Sequence, residues 1–218
     1  MSTLTLPKAV RLSYTNLLEP RAQAPDKPDD LRYGTAILIP KSDTESVDLV
    51  KAAIAEALAE GVTKKWGGKT PKGLKNPLRD GDEEREDENY AGHWFINTKG
   101  PKAGKEKPIL VGPDSNPTDD STVIYSGVMA RVSLQFYPFD VNGNRGIAAG
   151  VSAVMSLGTG EPLGNTVTLK SALAAFGVET PTSKAVDAFA ESAKPSEAAG
   201  STAVADDDEA DPDDPWAT

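Results

Sequence analysis

The sequence predicts a mostly-β (α+β) fold in which short, twisted strands curl into a small, partly closed barrel with one inserted helix. Three observations lead there. Val128–Phe139, VMARVSLQFYPF, alternates apolar and polar residues with the period of a half-buried strand. The following DVNGNRG carries an Asn-Gly hairpin signal, and IAAGVSAVMSL returns as a second long strand. Only the segment from Ser42 to Gly61 repeats its apolar residues with clear helical spacing.

Taken in order, the first forty residues form two strands around a loop. KAVRLSY places Val10 and Leu12 on one face and turns Lys8 and Arg11 to solvent. Three prolines make Pro20–Asp30 a loop, and LRYGTAILIP supplies a buried apolar run, Ala36–Ile39, stopped by Pro40. The helix follows, with Ser42, Asp43 and Thr44 as cap candidates. Ser42 and Glu45 have the spacing of a capping box. Val47, Val50, Ile54 and Leu58 form its apolar face, and Gly61 is its expected stop.

From Val62 the chain changes character. VTKKWGGKTPKGLKNPLR holds six basic residues and no acid, and the acidic run DGDEEREDENY comes directly after it. GHWFINTKG is a strand, Lys99–Pro108 a second basic loop, and ILV and STVIYSG two short strands. In the long strand Val128, Ala130, Val132, Leu134 and Phe136 face one way. Met129, Arg131, Ser133, Gln135 and Tyr137 face the other. After Leu157 only TLKSALAAF and SKAVDAFAES look helical. Beyond Ser192 the mix of Ala, Ser, Pro and Asp cannot bury enough surface to offset the entropy of ordering. The expected organisation is a domain over 1–178, a linker with a short helix over 179–205, and a disordered acidic tail over 206–218.

Composition narrows the function. The formal net charge is −10, but residues 191–218 hold nine acids and one lysine, so the body is close to neutral. A low overall pI therefore does not argue against a polyanionic partner. With no cysteine, thiolate metal sites, disulfides and cysteine nucleophiles are out, and a single histidine, His93, rules out His-rich metal sites. No segment approaches the 18–20 apolar residues of a membrane helix, and MSTLTLPKAVRLSY lacks the basic and apolar regions of a secretory signal. A cytoplasmic protein without membrane contact is expected.

Catalytic and cofactor motifs fail on inspection. GGKT, Gly67–Thr70, ends like a phosphate-binding loop, but Thr63 stands where the first glycine belongs, and Pro71 and Gly73 forbid the helix that must follow. A calcium loop starting at Asp80 would need glycine at Arg85 and glutamate at Ala91. Asp80, Asp82 and Glu83 keep open the alternative of a metal-dependent nuclease or recombination enzyme. No serine sits in a nucleophile elbow, and no cofactor is expected.

The basic loops carry more information. Lys64, Lys65, Lys69, Lys72, Lys75 and Arg79 surround Trp66; Lys99, Lys102, Lys105 and Lys107 follow closely on Trp94 and Phe95. Single-stranded nucleic acid calls for cations along the phosphates and aromatic faces on which unpaired bases stack. The outward face of the long strand adds Arg131, Gln135 and Tyr137 as a floor for such a groove.

Five separated motifs carry a family resemblance: VRLSYTNLLEP, AILIPKSD, NPLRDGDE, YSGVMARVSLQFYPFD and NRGIAAGVSAVM. In this order they resemble a family of phage-encoded single-stranded DNA-binding proteins, from Pro7 to Leu163. The resemblance implies a five-stranded OB-fold barrel that binds single strands without strict sequence preference or catalysis. It further implies a role in phage DNA replication, recombination or repair inside the host cell. Arg79 and Asp80 in NPLRDGDE and Arg145 in NRGIAAG fall within these motifs.

The terminal DDDEADPDDPWAT combines seven carboxylates (Asp206, Asp207, Asp208, Glu209, Asp211, Asp213 and Asp214) with Trp216. A tethered polyanion of this kind can occupy a cationic groove as a DNA mimic, and its indole can anchor a replication or recombination protein. The sequence does not decide between a monomer and a homodimer.

Overall fold

The computed structural model describes residues 2–22 and 27–163. The acidic tail, the linker, the two short C-terminal helices and the boundaries at 178 and 205 lie outside these residues. Eight strands are present among the described residues: β1 (Ser2–Thr5), β2 (Val10–Ala22), β3 (Leu31–Pro40), β4 (Leu78–Asp80), β5 (His93–Asn97), β6 (Ile109–Val111), β7 (Met129–Val141) and β8 (Asn144–Ser156). One long helix, α1 (Thr44–Lys64), and two single turns, α2 (Gly81–Glu84) and a 3₁₀ turn at Glu88–Tyr90, complete them. No helix of the described residues is long and apolar enough to cross a membrane.

The strands form one sheet in the order β4-β5-β3-β2-β7-β8-β6, with β1 added beside β7. All neighbours are antiparallel except β6 and β8. The sheet also bends back on itself. Beyond the end of β5, Thr98 bridges Ala149 of β8 in parallel, and the Lys99 amide donates to the Ala149 carbonyl at 2.7 Å. Pairing therefore runs in a ring, β2-β3-β5-β8-β7 and back to β2, where Val10 opposes Ala130. The result is a curled, OB-like sheet that is mostly β with few helices.

β7 behaves as its alternation predicts. Ala130, Val132, Leu134 and Phe136 are almost fully buried, and Arg131 between them is exposed. The β7–β8 hairpin turns through Asn142 and Gly143, both at positive φ (49° and 81°), the geometry that favours Asn-Gly. STVIYSG is not a strand. It forms turns packed on the core, with the Ile124 amide returning to the Asp120 carbonyl at 3.0 Å.

Helix α1 buries Val47, Val50, Ala53 and Ala57 and packs against β7, β1 and β8. Of the three cap candidates the structure selects Asp43, not the Ser42–Glu45 box, and the far end differs from expectation. The N-cap is Asp43, whose carboxylate accepts from the Ser46 amide at 3.3 Å and pairs with Lys8 at 2.9 Å. Burial works to raise the Asp43 pKa, but Lys8 and Ser46 outweigh it and hold the carboxyl below its usual value. At the far end, Gly61 does not stop the helix, because the amides of Lys65 and Trp66 both return to its carbonyl at 2.9 Å. Gly61 serves close approach instead. A Cβ there would sit 2.6 Å from the Trp66 ring and 2.7 Å from Pro138.

Candidate nucleic-acid interface

The β4–β5 pairing sets one wall of the site. Arg79 opposes Phe95 and Asp80 opposes Trp94, and opposed residues share a sheet face. The Arg79 guanidinium lies 4.9 Å from the Phe95 ring centre. The other wall is β8, and both basic loops are tied to it through main-chain bonds. The Lys75 amide donates to Arg145 at 3.0 Å and the Ile147 amide to Lys75 at 3.0 Å, with the Lys99–Ala149 bond a short way along the same strand. Gly146 makes the first join possible, since a Cβ there would stand 2.6 Å from the Lys75 carbonyl oxygen.

Two loops that are well separated in sequence therefore meet at one cleft of about 830 Å³. Lys75, Arg79, Trp94 and Lys99 line it together with Asn76, Asn97, Phe139 and Ala148. Trp94 is half-buried, with the Lys41 and Lys51 ammonium groups 5.2 and 5.9 Å from its ring.

The charge of the cleft is balanced locally. Asp80, Glu83 and Glu84 share the lining with Lys75, Arg79 and Lys99. Arg79 Nε donates to Glu84 at 2.7 Å, and its Nη2 contacts the same oxygen. Lys41 Nζ lies 2.6 Å from Asp80 and 2.7 Å from Asp82. Hydrogen bonds to these two carboxylates raise the Lys41 ammonium above its ordinary value. In turn Lys41 and the Gly92 amide hold the Asp82 carboxyl below the ordinary range. Lys41 thus stands where the nuclease alternative would put a cation. Among the described residues no three His, Asp or Glu side chains are grouped to hold a metal.

The remaining sequence candidates fall elsewhere. Trp66 is a correction: its ring is only 8% exposed and belongs to the main core, with Nε1 buried and unpartnered among the described residues, so it offers no free face. Tyr137, at 9% exposure, is likewise not an open stacking surface. Lys64 lies on the last turn of α1, paired with Glu60 at 2.8 Å, rather than on a loop. Lys65 caps that helix, and Lys69 and Lys72 are exposed on the segment leading to Lys75. Lys102 bridges Arg32 at the start of β3, the Lys105 amide turns back to Lys102 at 3.1 Å, and Lys107 pairs with Asp119. Arg131 is eight residues along β7 from Phe139, about 26 Å at strand rise, and Gln135 lies between them. Neither lines the cleft. Asp206–Trp216 lie outside the described residues. Asn97, Phe139 and Lys41 were not candidates from sequence. Only the polar Asn97 immediately after the apolar Phe95-Ile96 pair could have drawn attention.

Comparison with known proteins places the fold in a family. A family model described as Enterobacter phage Enc34, ssDNA-binding protein, matches residues 3–189. Putative protein p50 of Acyrthosiphon pisum secondary endosymbiont phage 1 is 29% identical over 162 residues, covering 70% of this chain and 82% of its own. The single-stranded DNA-binding protein from bacteriophage Enc34, solved in complex with ssDNA, superposes with a TM-score of 0.63 at 18% identity, covering 75% of this chain and 90% of that one. The single-stranded DNA-binding protein gp2.5 of bacteriophage T7 gives a TM-score of 0.50 at 18% identity, over 81% of this chain and 94% of its own. With most of its length matched by the family model, the chain belongs to the Enc34 family of phage single-stranded DNA-binding proteins.

Proposed function

We propose that this chain binds single-stranded DNA in the β5–β8 cleft, without strict sequence preference and without a catalytic step. The observation that carries the reading is the convergence of the two basic loops. Lys75 and Lys99 are fastened to β8 on either side of Ala148, and Arg79 and Trp94, from opposite faces of the β4–β5 pair, line the same cleft. Phosphates would lie along the cations while bases meet Trp94 and Phe139, a division of labour that is indifferent to base identity. The ring β2-β3-β5-β8-β7 supports the finer reading of a five-stranded OB barrel, to which β1, β4 and β6 are additions. A solved relative carrying ssDNA on a similar fold supports the ligand.

In this reading the protein coats strands exposed during phage DNA replication, recombination or repair in the host cytoplasm, and shields them from nucleases and re-annealing. The chain divides into a binding domain over 1–178, a linker over 179–205 and the acidic tail. Leu163, the last described residue, packs against Ala36, Leu38, Tyr90 and Phe95 on the outer face of β3 and β5, so the remaining chain starts beside the proposed binding face. The residues up to Asp206 supply ample contour length for the tail to reach the cleft and compete with DNA. DNA would displace it and release Trp216 to a partner protein.

A mobility-shift comparison of single- and double-stranded oligonucleotides of equal length tests the ligand. Retention of the single strand, weakening steeply with salt, is expected; tight binding of duplex with none of single strand overturns the proposal. Deleting Asp206–Thr218 should raise DNA affinity at low salt and abolish partner capture. Unchanged behaviour on both counts would reduce the tail to a solubility device.

A further inference from the structure

Tyr14 is the most exposed aromatic among the described residues, at 60%, and it stands on backbone at φ 47°. Both facts are unfavourable. A bulky side chain in the left-handed region is a steric outlier, and an exposed ring loses the packing that normally offsets its hydration. Asn142, the hairpin residue at similar φ, is of the type that tolerates it.

The conformation is held from both sides. Ser13 opposes Ala36 and Asn16 opposes Gly34, so Tyr14 and Thr15 together face the single residue Thr35, which makes a β-bulge. The Thr15 amide donates to Ser126 Oγ at 2.9 Å, Thr35 Oγ1 donates to the Ser13 carbonyl at 3.0 Å, and the Gly127 amide donates to the Leu12 carbonyl at 2.7 Å. The bulge therefore aims one aromatic ring outward from a rigid frame.

Its position relates it to the cleft. Ser13, Ala36 and Asn97 form one row across β2, β3 and β5, and Asn97 lines the cleft. Tyr14 thus lies two strand spacings, about 10 Å, from the cleft edge. On the same row Tyr90 packs in one cluster with Ala36, and the exposed Arg85 has its guanidinium 5.4 Å from the Tyr90 ring. An outward ring with a cation close by is the pairing that a base and its phosphate require.

We infer that Tyr14 is a base-stacking platform, a second contact for the single strand outside the β5–β8 cleft. This rests on the DNA-binding reading above. A strand leaving the cleft at Asn97 passes over the Tyr90, Phe95 and Leu163 side chains that cover Ala36 of β3 and lays a base on the Tyr14 ring, with Arg85 along its path. Stacking on one ring is sequence-tolerant and adds length to the site rather than base selectivity.

The test titrates oligo-dT against the full chain and its Tyr14→Phe and Tyr14→Gly variants across a salt series. Tyr14→Phe should bind within about twofold of the parent. Tyr14→Gly should lose about fivefold to a hundredfold, the range for one stacked base, with an unchanged salt slope because no phosphate contact is removed. Glycine also relaxes the positive φ, so its Tm should be no lower than the parent's. Equal affinity of parent and Tyr14→Gly overturns the inference while leaving the cleft reading intact, and so does a fall in affinity accompanied by a fall in Tm. A parent that binds no single strand refutes the cleft reading itself. Irradiation with a 5-iododeoxyuridine strand gives an independent readout: an adduct on Tyr14 supports the platform, and adducts confined to other residues overturn it.

Discussion

Replacing Lys75 and Lys99 together by glutamine separates the charges of the cleft from its architecture. Both loops are held to β8 by main-chain bonds of 2.7–3.0 Å, so the side chains can change while the walls remain. If each ammonium neutralises one phosphate, each contributes about 0.7 to the slope of log affinity against log salt for a single strand. The double variant should therefore have a slope shallower by about 1.4. Between about 50 and 200 mM salt, the affinity of the parent should fall about sevenfold more than that of the variant. Fluorescence anisotropy with a dye-labelled oligo-dT at several salt concentrations measures this directly. A matched control replaces Lys64 and Arg131, which the fold sets outside the cleft, and should leave the slope unchanged. The assignment of the cleft is refuted if the control pair flattens the slope as much as the cleft pair, or if the cleft pair leaves it unmoved.

Further outcomes follow from the same geometry. Trp94→Phe should remove most of the fluorescence quenching on DNA binding. Trp66→Ala should instead cost about 3–5 kcal/mol of stability in urea unfolding, because its ring fills the core over Gly61, and a cost below about 1 would show that the ring is not packed as described. Asp43→Ala should lose about 1–2 kcal/mol through the helix cap alone. Asp43→Asn keeps a capping oxygen but loses the pairing with Lys8. Because the folded carboxyl titrates below its unfolded value of 3.8, the stability contributed by ionised Asp43 is complete above that pH and disappears as pH falls through the folded value. Thermal melts of parent and Asp43→Asn should accordingly converge at low pH. Gly146→Ala should displace Lys75 from β8 and weaken DNA binding along with stability by about 1–3 kcal/mol; parental values for both would remove the close contact as a requirement.

What the sequence disclosed depended on the range of the interaction. β7 was legible because alternation is local and its inward residues are buried without exception from Ala130 to Phe136. The interior of α1 was legible for the same reason. Its start was legible only to within three adjacent candidates, of which Asp43 takes the cap through the Ser46 amide and pairs with the distant Lys8. Gly61 looked like a stop because the ring that needs its bare Cα arrives from Trp66 by a return of the chain. Trp66 itself, set among glycines and lysines, had every local mark of an exposed aromatic and was placed in the core by tertiary packing. Lys75, Arg79, Trp94 and Lys99 were identifiable by residue type. Their meeting in one cleft was not, because it depends on two parallel bridges to β8 that leave no periodic trace. Tyr14 was hidden for the opposite reason: in VRLSY it shares the parity of the buried Val10 and Leu12 and passes for an ordinary inward strand residue, and only the register shift reveals the bulge.

The join between Thr98–Lys99 and Ala149 has a mechanical consequence. Every other join in the ring is a ladder between strands, whereas this one rests on an isolated bridge. With the fewest rungs, this join of the curled sheet is where breathing should start and where backbone amides should exchange with solvent soonest. The cleft straddles that join. A nucleic-acid strand lying in it spans both lips and acts as a staple, so occupancy should appear as slowed exchange at the Lys99 amide, and the ligand becomes in effect the missing rungs of the sheet.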